Sequence, residues 1–157
     1  MKNDDKQNVC GSYGTRGLLL ASGIIAAGIA AAILFVPNAF YGAYEIDIGS
    51  NVSLTNELKA PAGALLLAGL AMLAGVFKSD FAIPSLVAAT AVYLSYGLSR
   101  VLSMAIDGVP HSGLVSAAVL EVVIGMVCLL DLIRHRKTSV ARQSTPASFT
   151  TGILRIQ

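Results

Sequence analysis

Long runs without a formal charge constrain this chain more than anything else in it. From Gly17 to Tyr44 there is no Asp, Glu, Lys, Arg or His. Ala60 to Phe77 and Phe81 to Ser99 are equally clean, and Gly113 to Leu130 is broken only by Glu121. A bilayer core takes about 20 residues of helix, with a range of roughly 17–25. Hydrocarbon offers no partner to backbone groups, so each run must close its own hydrogen bonds as a helix. Barrel strands would alternate in polarity, and these runs do not.

The expected fold is therefore all-α, an integral membrane bundle of four transmembrane helices. The expected spans are 18–36, 58–77, 81–104 and 113–133. A 1–17 N-terminal tail precedes them and a basic, loose 134–157 tail follows. Composition agrees, since 55% of residues are hydrophobic and 13% charged, against about 25% charged in soluble domains. A net charge of +2 gives no basic face for nucleic acid. Two cysteines make neither a disulfide scaffold nor a metal cluster, so no metal or cofactor is expected.

Basic residues orient the bundle. Of eleven Lys and Arg, all but Lys59 and Arg100 fall in the two tails or at Lys78. The positive-inside rule then places both termini in the cytoplasm. The segment from Pro37 to Asn56 becomes the outer loop, with Phe40, Tyr41 and Tyr44 at headgroup depth. Within it, Glu45 and Asp47 alternate with Ile46 and Ile48, the pattern of a short extended or interface-lying piece.

Small residues recur at helical spacing. Gly23, Ala27, Ala30 and Ala31 share a face of the first span. Ala60, Ala64, Ala68, Ala71 and Gly75 share one on the second. Such ridges let membrane helices approach closely, within one chain or between two copies.

The polar residues concentrate in the outer half. Tyr93, Tyr96, Arg100, Ser103 and Asp107 are spaced 3, 4, 3 and 4 and so lie on one face of the third span. Glu121 is the one charge within the fourth, and Glu57 stands where the second enters the membrane. A charge at the bilayer centre costs at least about 2.5–3.5 kcal/mol, so such groups face inward and find partners. An Arg100–Glu121 ion pair is expected, with Glu57 as a second acceptor. The same pair serves as register-fixing glue or as the polar end of a pocket. His111 reads as a loop histidine, His135 as an anchor at lipid phosphates, and Cys128 as a packing residue.

In order, FVPNAFYG (Phe35–Gly42), NELKAPAG (Asn56–Gly63), Ser99–Arg100, DGVP (Asp107–Pro110) and Glu121 resemble the bacterial membrane family known as domain of unknown function 4345. The resemblance runs from about Leu34 to Ile133. The family's second-helix pattern reads Asn-Glu-Ile-Arg-Gly-x-Tyr-Gly-Gly. Here Glu57 keeps the acid, while Lys59 and Ala62 replace the Arg and the Tyr. Lys does not offer the bidentate fork of Arg. The resemblance implies a four-helix protein of a bacterial inner membrane and implies no activity.

Three functions fit. The leading one is a binding or accessory subunit whose partners are the bilayer and a lipid-like or quinone-like molecule, or else another membrane protein or a second copy. Arg100 would hold the head group, Glu57 and Glu121 would orient Arg100, Tyr93 and Tyr96 would pack on the apolar part, and Asp107 would complete the ligand-binding face. The second is a membrane isomerase, cyclase or transferase with Glu121 as its catalytic acid or base. The third is a proton-coupled transporter, which would need a dimer.

Overall fold

The computed structural model describes residues 13–143, with side chains for all of them except 79 and 136–143. The outer parts of the two expected tails, 1–12 and 144–157, lie outside the described residues. Four long helices and one short one make up the chain: α1 (Tyr13–Phe35), α2 (Pro37–Gly42), α3 (Val52–Phe77), α4 (Ser79–Asp107) and α5 (Ser112–Gln143). All but α2 are long and apolar enough to cross a membrane. The fold is the expected all-α, four-helix membrane bundle.

The helices outrun the apolar stretches that announce them. α3 begins at Val52 rather than 58, because Asn51 caps it by accepting a bond from the Leu54 N–H at 3.0 Å. An asparagine at this position satisfies one of the four donors a helix start leaves unpaired. α5 runs on past 133 to Gln143, so its basic end continues the helix instead of starting a separate tail.

Two tight turns set the topology. Lys78 alone separates α3 from α4, ending one helix and starting the next with extended backbone. At the opposite end α4 stops at Gly108, whose φ of 100° only glycine adopts without strain. Such short links force each pair of helices to run antiparallel. Below, the two ends of the bundle are called the Lys78 end and the Gly108 end.

Each helix packs mainly on its neighbour in sequence. α1 lies along α3, α3 along α4 and α4 along α5, while α1 and α5 scarcely meet. Glycines sit at these contacts. A Cβ on Gly69 would come within 2.8 Å of the Ala27 backbone nitrogen, and one on Gly23 within 3.1 Å of the Gly69 carbonyl. Gly97 and Gly125 make similar room between α4 and α5.

The small-residue face expected on α1 is used at this contact. On α3 the buried set is Ala62, Gly69, Met72 and Gly75, and Ala60, Ala64 and Ala71 are exposed. Glycine permits a closer backbone approach than an alanine ridge does, so α3 turns its Gly69 side inward.

The core runs along the bundle axis through Leu19, Met72, Leu86, Ala89, Tyr93 and Cys128. Large apolar side chains such as Leu67, Leu98 and Ile106 point outward and are well exposed, as a hydrocarbon solvent allows.

Gly69→Ala should therefore lower the melting temperature of the purified protein in detergent. Overpacking of this kind costs about 1–3 kcal/mol. Gly63→Ala is the control, since its added Cβ meets nothing within 4 Å, and it should be neutral or slightly stabilising.

Candidate functional site

Arg100 lies seven residues before the end of α4, about 10 Å from the Gly108 end at the rise of an α-helix. Glu121 lies on α5 at similar depth. Their side chains meet: Arg100 Nε donates to Glu121 Oε2 at 3.0 Å. Packing dictates the encounter, because Gly97, one turn before Arg100, lets α5 approach at Glu121 and Val122.

The pair stands at the polar end of a cavity of about 320 Å³. Ile25, Ile29 and Ile33 of α1 form one wall, and Leu58, Pro61 and Leu65 of α3 another. α4 adds Val92, Tyr93 and Tyr96, and α5 adds Leu114, Ala117 and Leu120. Phe40, Tyr41, Tyr44 and Ile46 close the Gly108 end. An apolar body with a few convergent polar groups is the ordinary make-up of a small-molecule site.

The polar groups are only partly engaged. Arg100 uses Nε, and its two Nη groups have no hydrogen-bond partner among the described residues. The phenols of Tyr41 and Tyr96 likewise make no hydrogen bond there. Burial pushes the Tyr41 phenol above its usual range, while the nearby Arg100 pulls it down. The cavity thus offers guanidinium and phenol donors and one carboxylate in an apolar enclosure.

The other expected site residues divide. Tyr93 is buried, and its hydroxyl donates to the Ser22 carbonyl at 2.6 Å. It fixes α4 to α1 and forms the cavity floor. Asp107 is exposed and accepts a bond from Ser103 at 2.9 Å. It lines a shallow recess that Arg100 also reaches, outside the cavity. Glu57 is exposed and absent from the cavity lining. Arg100 pairs with Glu121 instead, because Glu57 shares the face of α3 that carries Ala60, Ala64 and Ala71, which is turned outward. Among the described residues, no group of three or more His, Cys, Asp or Glu could hold a metal ion.

Three features escaped the sequence reading. Tyr41 belongs to the cavity as well as to the aromatic belt, because α2 turns the PNAFYG segment back over the helix ends. Ile48 is buried, and Ile46 borders the cavity while remaining 39% exposed, both within an irregular segment. His135 turns inward instead of toward lipid phosphates: Nε2 lies 3.2 Å from the Thr15 hydroxyl and 3.6 Å from Asp131. Thr15, buried near the start of α1, also donates to Asp131 at 2.8 Å. Thr15 and Asp131 stand 116 places apart in the chain, so no local pattern signals this clasp.

Residues 14–132 match the family described as domain of unknown function (DUF4345), and the chain belongs to that family. No curated protein and no solved structure matches it.

Removing one member of a paired charge strands the other in a poorly solvated place. Arg100→Met and Glu121→Leu should each destabilise the protein, and the double variant should lose less than the two losses added. The expected coupling is about 0.5–3 kcal/mol, read from thermal melts of all four proteins. Strictly additive losses would separate the two residues energetically.

Proposed function

We propose that this member of the family is a membrane binding protein that holds the head group of a small lipid-like or quinone-like amphiphile in the cavity beside Arg100. The observation that carries this reading is the guanidinium, held through Nε to Glu121 and lining the polar end of an otherwise apolar cavity. Glu121 orients the guanidinium, and Tyr41 and Tyr96 add donors beside it. The isoleucines of α1 and the leucines of α3 and α5 receive the apolar part. Glu121 commits Oε2 to Arg100, which favours a holding role over proton transfer. With the termini in the cytoplasm of a bacterial inner membrane, the cavity sits in the outer half of the bilayer.

Its volume supports a ligand of modest size, near the lower end of the roughly 300–1,000 Å³ typical of such pockets. Mass spectrometry of small molecules that co-purify with the protein tests the proposal. A defined amphiphile should accompany the wild type and be missing from correctly folded Arg100→Met. The same set of molecules in both samples would end the reading.

A further inference from the structure

The seam between α1 and α5 is fastened at both ends and loose between them. At the Lys78 end, Thr15 of α1 bonds to Asp131 of α5. At the Gly108 end, Tyr44 packs edge-on against His111 and touches Gly113. Between these points α1 and α5 scarcely meet. Ile29 and Ile33 on one side, and Ala117 and Leu120 on the other, line the cavity there. Leu120 is 48% exposed although it faces the cavity, and the other three are half-buried. A closed four-helix bundle would bury such a wall.

We infer that this seam is a lateral portal through which the cavity is loaded from the lipid phase, and that the ligand's head is an uncharged, carbonyl-bearing ring. The inference rests on the binding role proposed above. The four portal residues carry no polar side chain, so a molecule passing between them comes from hydrocarbon at least cost. Arg100 and Glu121 together are electrically neutral. A phosphate or carboxylate head would gain from the Nη groups but would meet the Glu121 carboxylate in the same space. A neutral carbonyl accepts from Nη or from a tyrosine hydroxyl without that repulsion. Phe40, Tyr41, Tyr44 and Tyr96 surround this end of the cavity, and aromatic faces and edges pack well on a flat ring. The volume of about 320 Å³ takes a ring and the start of a chain. The rest of the chain leaves through the portal into the bilayer.

Full-length protein in phosphatidylcholine vesicles tests this with three probes: a benzoquinone bearing a decyl chain, the same ring without a chain, and decanoate. The protein has five tyrosines and no tryptophan, so quenching of tyrosine fluorescence reads binding in the wild type. The chain-bearing quinone should bind about tenfold or more tightly than either other probe. Ala117→Trp should slow both its binding and its release by about tenfold, followed by absorbance of the protein-bound quinone. Val123→Trp, exposed on α5 and outside the cavity lining, should keep wild-type rates. Should Ala117→Trp fail to fold, Leu120→Trp at an already exposed position carries the same test.

Equal binding of the chainless ring, tighter binding of decanoate, or wild-type rates in the folded portal variant would overturn the inference. Arg100→Met separates the two proposals. If it abolishes binding while the portal variant keeps wild-type rates, the site stands and the portal falls. If it binds the quinone as the wild type does, both fall.

Discussion

At Gly23 and Gly69 the backbones of α1 and α3 come so close that neither residue has room for a side chain. Much of the architecture follows from that contact. Membrane helices have no hydrophobic drive to associate, so the tightest van der Waals fit decides which faces meet. α1 is committed to α3, and the Lys78 turn commits α3 to α4. α5 is held to α4 through Gly97 and Gly125 and meets α1 only sparsely. The space that α1 and α5 do not fill is the cavity.

Hydrocarbon as the solvent explains how the polar residues are distributed around it. Among the described residues, every fully buried side-chain nitrogen and oxygen has a hydrogen-bond partner. Ser85 donates to the Ala71 carbonyl, Thr90 to the Leu86 carbonyl and Tyr93 to the Ser22 carbonyl. Arg100, Tyr41 and Tyr96 keep unused donors, and all three border the cavity. The same rule that fastens the interior therefore marks where a polar guest is welcome.

The fold was readable because charge-free runs of this length have one stable form in a membrane. The Arg100–Glu121 pair was readable for the related reason that two opposite charges at matched depth on neighbouring helices must find each other. The buried face of α3 was not readable, since alanine at 3–4 spacing and a lone Gly69 look alike until the partner backbone is known. That Glu57 stands apart from Arg100 was not readable for the same reason, since it shares the outward face of α3 with Ala60 and Ala64. The parts of Tyr41 in the cavity and of Thr15 in the clasp with Asp131 depend on contacts across the fold. No local pattern encodes them.

The order of packing has a consequence for synthesis. Because α3, α4 and α5 each rest on the spanning helix made just before, hairpins can settle in the bilayer while later residues are still on the ribosome. The meeting of Thr15 with Asp131 joins residues 116 apart in the chain and cannot precede the last helix. The cavity is thus the final part of the molecule to come into being, and an incomplete chain can be well packed yet have nowhere to put a guest.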